Sequence, residues 1–183
     1  MGFFEARTEE EYAAECERLF ATVEDVPLAY RKFLASYYPN SNVRRMYLQS
    51  IGVVFADGSS FVNSGFVVIP NSPSDVHVYI GKRVSIAPNV TCVCDSCANN
   101  GEEINRYRYV AEKLTHKADV HIEDEAWIGA NATILPGVTV GRCAVIGAGC
   151  VMARDADPYG VYAGVPGRKI GDVRKWEDDF EQR

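Results

Sequence analysis

From Ile122 onward the chain divides into sixes: IEDEAW, IGANAT, ILPGVT, VGRCAV and IGAGCV. The first place holds Ile122, Ile128, Ile134, Val140 and Ile146, and the fifth holds Ala126, Ala132, Val138, Ala144 and Cys150. A strand points alternate side chains to one face. The fifth residue of one six stands two before the first of the next, so both face the same way. Gly129, Gly141 and Gly147 follow straight after the aliphatic residue, where a turn between short strands needs compact residues. Three such sides close a triangular coil of about 18 residues, and coils stack at about the 4.8 Å spacing of parallel strands. No side buries its apolar row alone, so stability comes from stacking. Strands of a sandwich or barrel would need reversing turns, and none interrupts this period.

The pattern recurs upstream as IGKRVS and IAPNVT, from Ile80 and Ile86, and more loosely as FADGSS and FVNSGF, from Phe55 and Phe61. The slip in register between these groups predicts an irregular insert near Pro70 to Asp75, where the run is PNSPSD. Outside the repeat, an amphipathic helix is expected from about Thr8 to Phe20 with Thr8 as its cap. Further helices are expected from Pro27 to Tyr37, from about Ser41 to Ser50, and from Asp172 to Gln182. They would cover the two ends of the stack, whose open strand edges invite aggregation. The division is therefore a helical cap over 1–50, a repeat domain over 51–170 and a C-terminal helix over 171–183. Between Asp95 and Ala118 the rhythm stops and the chain turns polar. Such an excursion is usually functional or disordered. Because the repeat resumes on time, a loop over 95–119 is expected to be extruded from one corner as an active-site wall.

Composition narrows the function. A net charge of −6 gives nucleic-acid binding no electrostatic support. Apolar stretches are short and broken by Gly, Pro or charge, so no membrane insertion is expected. The start, MGFFEARTEEEYAAE, has acids where a secretory signal has its apolar core, which makes the cytoplasm the expected location. Six cysteines allow a metal-binding CxCxxC cluster of Cys92, Cys94 and Cys97, or disulfides, or reduced apolar residues. The repeat favours the last, because it turns Cys92 and Cys150 inward.

The run IEDEAWIGANATILPGVTVGRCAVIGAGCVMARDADPYGVYAGVPGRKI resembles the C-terminal half of the hexapeptide-repeat acyltransferases. These include galactoside, maltose and nodulation-factor O-acetyltransferases and the antibiotic-modifying xenobiotic acetyltransferases. IGKRVSIAPNVT resembles the coil that precedes their active site. The likeness runs from about Val53 to Ile170 and rests on WIGA, ILPGV, VIGAG and AGVPGRKI. It implies an all-β, left-handed parallel β-helix with N-terminal helices, an extruded loop and a short C-terminal helix. It also implies a homotrimer, with acetyl-CoA as co-substrate in the clefts between neighbouring β-helices and no metal. By the same resemblance, Trp127 and Ala130 stand beside the pantetheine arm, and Ala148 and Ala153 meet the cofactor through backbone groups. Arg154, Arg168 and Lys169 match basic positions near its phosphates, where Arg binds as a bidentate fork and Lys as a point charge.

One departure stands out. Where the sugar O-acetyltransferases carry a Gly-His-Pro triplet with the general base, this chain reads DSCANN, with Cys97 roughly at the histidine. Acyl transfer to a hydroxyl or amine needs a proton acceptor and an oxyanion donor. Backbone amides of the coil supply the second. For the first, His116 has the right intrinsic pKa range, and Asp95 leaves the coil where the family's catalytic segment begins. An amine acceptor that is already deprotonated would need positioning only. Asn63, with Arg106 and Tyr107 on the loop, is expected to face the small-molecule acceptor: a sugar, nucleotide sugar, antibiotic or other hydroxyl or amine. Two rivals remain. His77, His116 and His121 would suit a γ-carbonic-anhydrase-like zinc enzyme, although His121 precedes an inward residue and should point outward. The missing triplet would suit a catalytically silent trimeric scaffold.

Overall fold

The computed structural model describes residues 8–69 and 77–181; the insert expected near Pro70 to Asp75 lies outside these residues. Three helices come first: α1 (Glu9–Ala21), α2 (Leu28–Tyr37) and α3 (Ser41–Ser50). The first coil then follows as β1 (Val53–Phe55), β2 (Phe61–Val62) and β3 (Val67–Ile69), and the second as β4 (Val78–Ile80), β5 (Ser85–Ile86) and β6 (Thr91–Val93). A two-stranded ribbon, β7 (Asp95–Ser96) and β8 (His116–Lys117), bounds the excursion. The third coil is β9 (Val120–Ile122), β10 (Trp127–Ile128) and β11 (Thr133–Ile134), and the fourth is β12 (Thr139–Val140), β13 (Val145–Ile146) and β14 (Val151–Met152). The chain ends with β15 (Gly160–Ala163), β16 (Arg168–Asp172) and α4 (Val173–Glu181).

These strands stack into three parallel sheets, one for each side of the coil. Sheet A is β1-β4-β9-β12, sheet C is β3-β6-β11-β14, and sheet B is β2-β5-β10-β13-β15 with β16 added at its end. Register explains the core. Phe55, Ile80, Ile122 and Val140 align along sheet A, Val62, Ile86, Ile128 and Ile146 along sheet B, and Val68, Cys92, Ile134 and Met152 along sheet C. The fifth-place residues Val84, Val90, Ala126, Ala132, Val138, Ala144 and Cys150 fill the triangle between them, all at most 3% exposed. Strands of two or three residues are below the usual length. Burial holds them instead, at about 1.5–3 kcal/mol for each enclosed Val or Ile.

One expectation of register is corrected here. The looser repeat from Phe61 is off by one: Phe61 aligns with Ser85 and is 54% exposed, whereas Val62 aligns with Ile86 and is buried. One extra residue in the turn Ala56–Ser60 shifts the count, and with a side-chain period of two a shift of one exchanges the faces.

Each end is closed differently. At the start, the buried Arg44 of α3 donates to Tyr38 O at 2.6 Å, Pro39 O at 2.9 Å and Val62 O at 3.0 Å, tying two helices to the first coil. Ser36 of α2 adds to this clamp, its carbonyl accepting from Gly65 N at 2.7 Å and its hydroxyl donating to Phe66 O at 3.0 Å. Thr8 caps α1 in a capping box with Glu11. At the far end β16 turns back and runs antiparallel to β15, pairing Ala163 with Arg168 and Tyr162 with Lys169. Asp172 then caps α4, accepting from Arg174 N at 3.1 Å while its carboxylate holds the Arg174 guanidinium at 2.9–3.0 Å. Among the described residues no helix is long and apolar enough to cross a membrane.

Two stability tests follow from these ends. Arg44→Ala strands three backbone carbonyls under the helical cap, so urea denaturation should show a loss of about 2–4 kcal/mol. A loss below about 0.5 kcal/mol would place the clamp among ordinary surface contacts. The hydrogen bonds and charge of Arg174 hold the Asp172 carboxyl down to about 2. A carboxyl depressed on folding stabilises above its unfolded pKa of about 3.9 and loses that contribution as pH falls toward the folded value. Asp172→Asn should therefore lower Tm at neutral pH, with the difference from wild type closing between about pH 4 and 2. A difference that stays constant across that window would contradict the pairing.

Candidate functional site

The corner joining sheets B and C carries a column of small residues. Its second places are Asn63, Ala87, Gly129, Gly147 and Ala163, and its third are Ser64, Pro88, Ala130, Ala148 and Gly164. The fourth place turns through the left-handed region in four coils, at Gly65 (φ 77°), Asn89 (59°), Asn131 (58°) and Gly149 (68°). Gly and Asn are the residues that adopt this conformation most cheaply. A Cβ on Gly129 would stand 2.6 Å from Ala148 N, so the coils approach too closely here for a side chain. The fourth-place amides bond down the stack, Asn131 N to Pro88 O at 3.0 Å and Gly149 N to Ala130 O at 2.8 Å. Ala130 N–H and Ala148 N–H have no hydrogen-bond partner among the described residues. The column thus presents a shallow backbone surface with donors spaced by one coil, about 4.8 Å.

This column joins several residues singled out from the sequence. Ala130 and Ala148 lie on it, Asn63 stands at its lower end, and Arg168 is set against Ala163 at its upper end. Beside Arg168, Lys169 holds Asp157 at 2.8 Å, which raises the ammonium pKa and lowers the carboxyl. Trp127 lies on the outer face of sheet B between Ser85 and Val145, 57% exposed.

Other residues stand at the opposite edge of sheet C, the corner leading to sheet A. Ala153 and Arg154 are exposed there in the fourth coil. The excursion leaves from the same corner in the second coil. Its two ends are tied together, Ala118 N donating to Cys94 O at 2.9 Å, and Cys94 N donating to Ile69 O below. In the ribbon, Asp95 opposes Lys117 and Ser96 opposes His116. Directly opposed residues share a face and neighbours alternate, so Asp95 and His116 lie on opposite faces. The sequence brought both forward as bases; the structure sets them on different sides of one ribbon. Beyond it, Arg106 ends a single 3-10 turn, Tyr107 is 59% exposed, and Arg108 pairs with Glu112.

The cysteines of the CxCxxC motif diverge. Cys92 and Cys94 are buried, which raises both thiols, Cys94 to about 11, while Cys97 is exposed and donates to Asn99 Oδ1 at 3.0 Å. None of the six cysteines is in a disulfide. The histidines are also apart in environment. His77 Nδ1 lies 3.1 Å from Gly52 O, His121 stacks on Tyr79 at 4.7 Å, and His116 is on the ribbon. Among the described residues no three His, Cys, Asp or Glu stand close enough to hold a metal ion.

Sequence reasoning did not single out Ser96, whose place beside His116 depends on strand register. It also missed a groove on the outer face of sheet A, lined by Val54, Tyr79, His121, Glu123 and Thr139. The alternation of Tyr79 and His121 with buried Ile80 and Ile122 is the signal that places them on that face.

Comparison with known proteins agrees with this architecture. Residues 119–154 match the family described as bacterial transferase hexapeptide (six repeats). The chain is 29% identical over 163 residues to a galactoside O-acetyltransferase of Escherichia coli (strain K12), covering 86% of this chain and 66% of that protein. It is 34% identical over 136 residues to a chloramphenicol acetyltransferase of Agrobacterium fabrum, covering 67% of this chain and 63% of that one. The chain thus spans less than two thirds of the length of the curated relatives it matches. In structure it resembles a hexapeptide-repeat acetyltransferase of Vibrio cholerae solved with acetyl-CoA, with a TM-score of 0.60, 22% identity, and 87% and 90% of the two chains covered. That likeness in fold makes the coil a left-handed parallel β-helix. The chain carries the bacterial transferase hexapeptide repeat, and in sequence and fold it resembles the hexapeptide-repeat acetyltransferases.

Proposed function

We propose that this chain is an acyl-CoA-dependent acyltransferase. It moves an acetyl group to a hydroxyl or amine of a small acceptor, in a site shared between copies of a homotrimer. The observation that carries this reading is the corner column from Asn63 to Arg168. Its small residues leave room for a narrow chain, and the amides of Ala130 and Ala148 offer donors to amide carbonyls along it. Arg168 stands at the end of the column where a phosphate would be met by a bidentate cation. The pantetheine arm and diphosphate of coenzyme A match that order of chemistry, and the relatives' activities point the same way. Trp127, Ala153, Arg154 and Lys169 are proposed to complete the donor's surroundings.

The places of the parts support a trimer. Column and ribbon occupy opposite edges of sheet C, so a single chain does not enclose a site between them. A neighbouring copy would set the ribbon of one subunit against the column of the next. Asn63, Arg106 and Tyr107 are then placed to orient the acceptor. A base takes its proton as the nucleophile attacks the thioester carbon, and backbone amides meet the developing oxyanion.

Calorimetric titration with acetyl-CoA, run beside plain CoA, tests the reading without a choice of acceptor. Saturable binding near one site per chain is expected. Arg168→Glu should weaken it about tenfold or more, roughly 1.4 kcal/mol, with the oligomer unchanged by sedimentation. A folded oligomer that binds neither ligand would overturn the proposal, and unchanged affinity in Arg168→Glu would remove that residue from the site.

A further inference from the structure

We infer that β16 and α4 form a subsite for the 3′-phosphoadenosine part of coenzyme A, with the Trp176 indole stacked on the base and Lys169 and Lys175 meeting the 3′-phosphate; the inference rests on the acyltransferase reading above. The observation behind it is a pocket of about 330 Å³ lined by Lys169, Gly171, Asp172, Lys175 and Trp176. It adjoins the upper end of the column. β16 starts at that corner, where Arg168 is paired with Ala163, and runs back along β15 through Lys169 to Gly171. At about 3.3 Å per residue, Gly171 stands about 10 Å from Arg168. A ligand whose diphosphate is held at Arg168 would carry its ribose past Lys169 and bring its base to Trp176.

Trp176 is seated as a shelf. A Cβ on Gly171 would lie 2.2 Å from Trp176 Cζ2, 2.5 Å from Cε2 and 2.9 Å from Cη2, so the six-membered ring rests directly against the backbone of β16. Glycine is what leaves room for it there. The indole is nevertheless 50% exposed. It is covered where it meets the strand and open elsewhere, which suits the stacking of a flat base. Such stacking tolerates any base, because every base has a π-face. Discrimination between ligands then falls to the charges beside the ring.

Those charges favour an anion. Asp172 in the lining is compensated, its carboxylate holding the Arg174 guanidinium at 2.9–3.0 Å. Arg174 is in turn seated over the Tyr159 ring, 4.4 Å from its centroid. An ammonium has three donors. Lys169 gives one of them to Asp157 at 2.8 Å and keeps the rest, and Lys175 is exposed, one residue before the indole. Two ammonium groups beside one stacking ring suit a base with a phosphate dianion close to it. Coenzyme A carries that phosphate on its ribose, and dephospho-CoA differs from it by that group alone.

The test is calorimetric titration of the whole protein with CoA and, separately, with dephospho-CoA. Wild type should bind CoA about tenfold more tightly. Lys175→Ala should weaken CoA about tenfold and leave dephospho-CoA unchanged, which removes the preference. Trp176→Ala should weaken both ligands about tenfold, and Trp176→Phe, which keeps a ring, should recover most of the loss. Gly171→Ala, whose methyl collides with the indole, should weaken both as Trp176→Ala does. An indole that only anchored α4 would leave the ratio of the two affinities at one. Equal affinity of wild type for CoA and dephospho-CoA therefore overturns the subsite while the acyltransferase reading stands, and so does wild-type affinity in folded Trp176→Ala. A folded protein that binds neither ligand overturns the acyltransferase reading, and the subsite with it.

Discussion

Everything in this molecule depends on one coil lying on the next at the spacing of paired parallel strands. The first and fifth places point inward from all three sides, and their side chains are buried only because a neighbouring coil covers them. No strand of two residues survives alone. The same closeness dictates the corners, where a Cβ on Gly129 or Gly141 would come within 2.6 Å of backbone in the next coil. At the B–C corner Gly129 is therefore a demand of stacking before it is a feature of a site. Beside it, Ala130 and Ala148 put little side chain over amides that have no partner among the described residues.

The excursion from 95 to 119 disturbs this stack very little. Its ends are bonded to each other across the ribbon, and Ile80 and Ile122 still align as neighbours on sheet A although the excursion separates them in sequence. A long insertion whose ends stay close costs modest closure entropy. The coil thus supplies a rigid base, and the ribbon gives the excursion a definite face, which sets Ser96 and His116 on one side and Asp95 and Lys117 on the other.

How far the sequence could be read follows from which signals are local. The inward ladder from Ile122 to Ile146 was legible because its period runs unbroken, and the start of the first helix was legible from its cap, Thr8. Phe61 was misplaced because a single added residue in a short turn exchanges faces without changing composition. The small residues Ala130 and Ala148 stood out through family likeness, yet the column they form with Asn63 and Ala163 needs the stacking to be seen. Asp95 and His116 were both visible as titratable groups near one break in the rhythm. Their opposite faces were not, since strand register within a polar excursion leaves no hydrophobic trace. Ser96 was passed over for the same reason.

The reversed strand at the end carries a consequence for length. Because β16 runs antiparallel to β15, the stack stops after a set number of coils, and Arg168 is held at a set height above Asn63. The two ends of the column are four steps apart, about 19 Å at the spacing of paired strands. A solenoid accepts the gain or loss of a whole repeat with little change in its internal packing. Its outer dimension, however, changes by a full step of about 4.8 Å each time. The count of coils thus acts as a gauge: a variant with one more or one fewer would keep its fold, yet it would no longer fit a molecule that must touch both ends at once.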